Sequence, residues 1–194
     1  PRTVLMLGSP GAGKTATAYH LLEGHTNGSL WNDQFLFSLF ILFREINLFE
    51  PDEKITFKDI VFNAFGPAIE DKERVWRYLE KHQEKLIIIL DGYDELSHQV
   101  ARPFSDVNQA TSPDILLGNL IKGHILPRSR LLITSRIHSV KTLQSDVHRT
   151  IELAGLTPED LKELIQKKLS PQLAEQLLTY ISSNENVTSL CAIP

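Results

Sequence analysis

The sequence predicts an α/β fold: a parallel sheet covered by helices on both faces, followed by a small helical subdomain. Three observations carry this. Val4–Leu7 is a short apolar run that leads through a glycine loop into a helix-compatible stretch, the strand–turn–helix unit from which parallel sheets are built. Phe35–Phe43 and Leu86–Leu90 are apolar at successive as well as alternate positions, as strands buried on both faces must be. From about residue 155 the chain carries helix starts and helical spacing but no strand-like run. Residues 1–154 are expected to form the sheet domain and 155–194 the helical subdomain.

The elements follow in order. After the first strand, Lys14–Glu23 is helix-compatible and is expected to end near Gly24. Phe35–Phe43 reads as a long strand. Thr56 caps a helix over Phe57–Phe65, with Asp59 at its third position. A helix over about Asp71–Gln83 spaces Val75, Trp76 and Leu79 on one side. Leu86–Leu90, rich in isoleucine, is the strongest central-strand signal. Ser97–Pro113 is polar and without period and reads as a surface loop. Asp114–Ile125 can form a helix, Arg130–Thr134 a strand, and Thr150–Leu153 a short last strand. Thr157-Pro158-Glu159-Asp160 supplies a cap, a first-turn proline and two acids, and Ser170-Pro171 opens a second helix the same way.

The 194 residues are 42% hydrophobic and 23% charged, values of a globular chain with a real core. A net charge of −4 argues against nucleic-acid binding through bulk positive charge, though not against a single phosphate pocket. One cysteine, Cys191, excludes an intrachain disulfide and a cysteine zinc cage and favours a reducing, cytoplasmic compartment. The apolar runs are far shorter than the roughly 18 residues a membrane helix needs, so no membrane insertion is expected. With no initiator Met and no ending cue, the chain reads as a piece of a longer protein. The seven histidines lack metal-ligand spacing and are expected on the surface or in loops; Trp31 and Trp76 are expected in the core, and Cys191 packed rather than reactive.

Gly8–Thr15 reads GSPGAGKT, a full match to G-x-x-x-x-G-K-[ST]. Glycines reach backbone angles closed to other residues, so successive N–H groups can turn inward toward phosphate oxygens. The helix that follows adds the positive end of its dipole. Gly8, Ser9, Pro10, Gly11, Ala12, Gly13, Lys14, Thr15 and Ala16 are the nucleotide-binding candidates. Lys14 is suited to the β/γ-phosphates and the Thr15 hydroxyl to Mg2+.

Asp91 ends the strongest strand, where a second metal contact is needed opposite Thr15. The acids continue as Asp91-Gly92-Tyr93-Asp94-Glu95. Asp94 or Glu95 could orient the attacking water, the other being structural. Leu131–Arg136 reads LLITSR, an apolar strand whose polar end can present Arg136 as a γ-phosphate sensor, since its charge is permanent and its fork planar.

GSPGAGKT, LIIILDGYDEL, LLITSR and LCAIP together resemble the NACHT domain of signal-transduction NTPases with numerous domains, as found in NOD-like receptors. The discriminating detail is Gly92 after the metal-ligating Asp, followed by Tyr93-Asp94-Glu95. The resemblance implies a P-loop NTPase sheet in which Lys14 and Thr15 hold phosphate and Mg2+. It makes Asp91 the Walker B acid, Asp94 the hydrolytic acid with Glu95 second, and Arg136 the first sensor. It places Arg44, of the Arg44-Glu45 pair, near the Walker B acids, and Pro194 against adenine. It implies ATP or ADP as ligand. The family's winged-helix domain, sensing repeats and effector domain have no counterpart in these residues.

The expected function is a nucleotide-dependent conformational and oligomerisation switch with slow Mg2+-dependent ATP hydrolysis, in an innate-immune or cell-death signalling receptor. Self-association through the parent protein and a downstream adaptor are the expected partners. The alternatives are a dedicated P-loop ATPase or kinase with fast turnover, and a nucleotide-binding scaffold without hydrolysis.

Overall fold

The computed structural model describes residues 2–31, 33–50, 53–66, 69–96, 108–140, 143 and 145–191. Five strands, β1 (Thr3–Gly8), β2 (Phe37–Leu42), β3 (Leu86–Asp91), β4 (Arg130–Ser135) and β5 (Arg149–Leu153), form one sheet in the order β2-β3-β4-β1-β5. Every neighbouring pair is parallel, so each connection must cross over, and α-helices make the crossings up to β4, whereas β4 reaches β5 with only a short 3-10 turn, Ile137–Ser139, among the described residues. Between the strands run α1 (Lys14–Thr26), α2 (Phe43–Ile46), α3 (Phe57–Phe65), α4 (Lys72–Lys81) and α5 (Pro113–Lys122). After the sheet come α6 (Pro158–Lys168), α7 (Pro171–Ser182) and α8 (Glu185–Cys191).

The strand period of two assigns each residue to a layer. Leu5, Leu39, Ile41, Ile88, Leu90 and Ile133 meet α3, α4 and α5 in the main core. Met6, Ile89 and Leu132 meet Ala18, Leu21 and Leu22 of α1 on the opposite face. β3 is buried along its whole length, which explains its unbroken isoleucine run. Ile88, Ile89 and Leu90 are fully buried, and truncating any one of them to alanine costs about 2–5 kcal/mol. That packing fixes where the strand's last residue, Asp91, emerges.

Several elements differ from the sequence reading for identifiable reasons. β2 is shorter than Phe35–Phe43, because Phe43 begins α2 and buries its ring against Tyr93, edge to face at 5.5 Å. α1 runs through Gly24 to Thr26; Gly24 is a packing glycine, with Leu30 where a side chain would sit. Pro113, expected in the loop, is the buried first residue of α5, where its missing N–H costs nothing. Residues 97–107 of that loop lie outside the described residues. His25 is half-buried and engaged at both ring nitrogens: its Nδ1 is 2.9 Å from Ser38 Oγ and its Nε2 3.0 Å from the Phe35 carbonyl oxygen, tying α1 to β2. Trp76 is in the core, whereas Trp31 is half-buried at a left-handed φ of 62° beside Phe35.

Both expected caps form, and each closes as a capping box, Thr56 with Asp59 and Thr157 with Asp160. Arg2, at the entrance to β1, donates to the carbonyls of Leu120, Ile121 and Pro127 and so closes the end of α5. Burial, and Arg130 nearby, hold its guanidinium below the usual arginine range. α6–α8 surround a small cluster of their own, Ile165, Ala174 and Ile181, with Cys191 half-buried against it. Among the described residues no helix is long and apolar enough to cross a membrane.

Candidate functional site

β1, β3 and β4 end side by side on one edge of the sheet, and the sequence-predicted residues gather there. In an open parallel sheet this carboxyl edge is where ligands bind. β1 delivers Gly8, and a Cβ there would lie 3.1 Å from Ala12 Cβ and 3.3 Å from the Leu153 carbonyl oxygen. A side chain there would fit only if these neighbours gave way by a few tenths of an ångström. Gly11 and Gly13 take φ of 79° and 87°, a left-handed conformation that glycine adopts without strain. Gly13 is the N-cap of α1 and offers no capping side chain, and no acid occupies the first turn. The first amides of α1 thus keep their donor capacity, and its positive dipole end is uncompensated. The first intrahelical bond runs from Thr17 N to the Gly13 carbonyl oxygen, 2.8 Å. Ser9, Pro10 and Ala16 are exposed around the loop, and Ala12 is buried beneath it. The Lys14 ammonium bends over the loop and donates to the carbonyls of Gly8 (2.9 Å) and Ser9 (3.0 Å).

Across from this loop stands Asp91, 5% exposed. One carboxylate oxygen accepts from Thr15 Oγ1 at 2.8 Å, and the other from Thr134 Oγ1 at 2.5 Å. Thr134 Oγ1 in turn accepts from the Gly92 backbone N–H at 2.9 Å. A buried carboxylate needs such donors to avoid the desolvation penalty. Thr134 is the residue that sequence reasoning missed. Its signal was a polar side chain inside the otherwise apolar LLIT run, but the meaning depends on β4 lying next to β3.

The chain then turns at Gly92, φ 85°, into a short 3-10 turn over Tyr93–Glu95. Tyr93 is buried under Phe43, so the two acids that follow have a fixed base. Asp94 is bound by Arg136 twice: the side-chain Nε lies 2.8 Å from one carboxylate oxygen, and the backbone N–H donates to the other at 3.1 Å. Glu95 is exposed, with its carboxylate folded over Gly92; a Cβ at Gly92 would lie 3.2 Å from Glu95 Cδ. Asn47, just after α2, donates from Nδ2 to the Glu95 carbonyl oxygen at 2.7 Å. That contact was also missed. Arg44 is exposed on α2, and Asn47, just after that helix, supplies the hydrogen bond to the acidic turn. Pro194 lies outside the described residues.

The structure therefore brings Lys14, Thr15, Asp91, Asp94, Glu95 and Arg136 to one edge of the sheet. The donor set suits Mg2+ arriving with phosphates. Thr15 and Asp91 supply one hydroxyl and one carboxylate, and among the described residues no cluster of three or more His, Cys, Asp or Glu could hold a metal by itself. Mg2+ is characteristically bound by one or two such protein oxygens together with substrate phosphates.

Comparison with known proteins identifies the family and the fold. The model of the NACHT domain matches residues 2–172. Human NACHT, LRR and PYD domains-containing protein 12 is 28% identical over 201 residues, covering 100% of this chain and 18% of that protein. The mouse NACHT, LRR and PYD domains-containing protein 3 is 30% identical over 199 residues, covering 99% and 19%. The mouse NACHT, LRR and PYD domains-containing protein 6 is 30% identical over 202 residues, covering 100% and 22%. The chain thus spans less than a quarter of the length of these relatives. Among solved structures, the Aeropyrum pernix ORC2 protein, determined as ADPNP-ADP complexes, superposes with a TM-score of 0.50 at 16% identity over 85% of this chain and 45% of that one. At that identity the likeness shows the fold, an α/β P-loop NTPase sheet.

Proposed function

The chain belongs to the NACHT family, and on that premise we propose that it is an ATP/ADP-dependent conformational and oligomerisation switch within a longer cytoplasmic signalling protein of innate immunity or cell death. One observation carries the reading: the Thr15 hydroxyl of the phosphate loop meets the Asp91 carboxylate of β3 at 2.8 Å. That contact supports the reading because it apposes a loop hydroxyl and a strand-end carboxylate, the oxygens that would hold Mg2+ together with nucleotide.

The roles of the residues follow from their chemistry. The amides of Gly11–Ala16 and the helix start cradle phosphate oxygens. Lys14 turns from the loop carbonyls to the β/γ-phosphates, as a flexible point charge can. Thr15 and Asp91 hold Mg2+, which when bound neutralises phosphate charge. Arg136, 55% exposed, offers a guanidinium to the γ-phosphate. The water-orienting acid comes from the Asp94–Glu95 pair; Asp94 is committed to Arg136 and Glu95 is exposed, an arrangement that fits slow hydrolysis resetting a switch. The preference for adenine, the contact of Pro194 with it, self-association and a downstream adaptor are carried over from the family resemblance.

Nucleotide released by denaturing the purified protein and identified by chromatography tests the reading. ATP or ADP in the wild type and none in Lys14→Ala is the expected result. Equal nucleotide content in both would overturn it, and turnover of many cycles per second would point to a dedicated P-loop ATPase or kinase instead.

A further inference from the structure

The Asp94–Arg136 contact joins two groups that the sequence assigned to separate tasks, one to water and one to phosphate. Its geometry is asymmetric. Arg136 uses Nε, the donor nearest its own backbone, on one Asp94 oxygen at 2.8 Å, and its main-chain N–H on the other at 3.1 Å. Both ends of the contact on the arginine side therefore belong to the stem of the residue. Asp94 has a side-chain exposure of 9%, seated on the turn that Gly92 and buried Tyr93 define, whereas Arg136 is at 55%. The carboxylate is the sheltered, fixed partner and the guanidinium the open one. A guanidinium has five N–H donors in a rigid planar fork. With Nε taken, the two terminal nitrogens form the pair of parallel donors that matches two oxygens of a phosphate.

We propose that Asp94 is a positioning residue: it braces Arg136 through Nε and the backbone so that the far edge of the guanidinium is aimed at the terminal phosphate, and this brace sets the preference of the chain for nucleoside triphosphate over diphosphate. The inference rests on the nucleotide reading above and deepens it. Asp94 then acts on phosphate recognition through Arg136, and Glu95, whose carboxylate has no such partner in this contact, is left as the acid facing water. The side chain of residue 136 must be arginine, because lysine offers a single ammonium that satisfies either the brace or the phosphate but presents no fork. Without the carboxylate the long side chain of Arg136 would sample many rotamers, and each phosphate contact would have to order it anew.

The test measures affinity for MgADP and for a Mg2+ complex of a β,γ-imido ATP analogue by calorimetry, on the full 194-residue chain. Asp94→Asn is expected to lower the triphosphate affinity about three- to tenfold and leave MgADP unchanged. Arg136→Gln should do the same, and the double variant should lose no more than Arg136→Gln alone, because the two residues act as one unit. Arg136→Lys, which keeps the charge and the Asp94 carboxylate, should also lose the preference; it serves as the decisive variant if Asp94→Asn fails to fold. Losses that add in the double variant, a triphosphate preference retained by Arg136→Lys, or an Asp94→Asn protein that keeps its affinity ratio while losing hydrolysis would each overturn the proposal. A wild-type chain that binds neither nucleotide would instead overturn the reading on which it rests.

Discussion

Thr134→Val removes one hydroxyl from the floor of the site while nearly keeping the side-chain shape. In the native arrangement that hydroxyl donates to the buried Asp91 carboxylate at 2.5 Å and accepts from Gly92 N at 2.9 Å. Valine leaves Asp91, 5% exposed, with the Thr15 hydroxyl as its remaining side-chain donor among the described residues. It also leaves the Gly92 N–H facing a methyl group. A hydrogen bond to a charged group is worth about 1.5–3 kcal/mol, and an orphaned donor costs up to about 1–3 kcal/mol more when buried, less for the part-buried Gly92 N–H. With partial relaxation the two losses come to about 2–4 kcal/mol, a large share of the about 5–15 kcal/mol that holds an ordinary domain together. For a chain of this size each kcal/mol moves the melting temperature by about 2–4 °C, so Thr134→Val should melt about 5–12 °C below the wild type by circular dichroism. Thr134→Ser keeps the hydroxyl and loses a methyl group, and should fall by a third of that or less. Equal melting temperatures for valine and wild type, or equal losses for valine and serine, would refute the claim that the hydroxyl holds Asp91 in place.

Two further predictions concern the turn after β3 and the first helix of the C-terminal group. Gly92→Ala forces a side chain into φ 85° and pushes a Cβ against the Glu95 carboxylate; a strain of about 1–2 kcal/mol should lower the melting temperature by several degrees and slow any hydrolysis, and a variant identical to wild type in both would contradict it. In the α6 capping box the Thr157 hydroxyl and backbone N–H donate to Asp160, holding its carboxyl below the usual carboxylate range. Because the folded-state pKa is the depressed one, this support is present at neutral pH and is lost as pH falls below the ordinary carboxylate value and through the depressed one. Thr157→Ala should move the NMR titration midpoint of Asp160 upward, and an unmoved midpoint would count against the capping account.

What the sequence disclosed was what short-range physics decides. Thr56 with Asp59 and Thr157 with Asp160 cap their helices because the partners are three residues apart. GSPGAGKT was legible because its glycines, lysine and threonine act within one turn, and β3 because a strand covered on both faces must be apolar throughout. The remainder depended on which strands became neighbours. Thr134 holds Asp91 only because β4 lies beside β3, and Asp94 meets Arg136 only because both strands end at the same edge. Neither pairing leaves a local pattern. Phe43 and Gly24 misled for a related reason: the aromatic residue ended a strand because Tyr93 lay beneath it, and the glycine served packing against Leu30 rather than helix termination. The short α8, only seven residues long, carried too few apolar positions to reveal a period.

The most direct measurement of the central claim is electron paramagnetic resonance of Mn2+ in place of Mg2+, titrated into the chain with ADP. The account predicts one tightly bound Mn2+ per chain that appears only with nucleotide, and its loss in both Thr15→Ala and Asp91→Ala proteins that remain folded. Mn2+ bound equally well by either folded variant would contradict a divalent ion shared between the phosphate loop and β3.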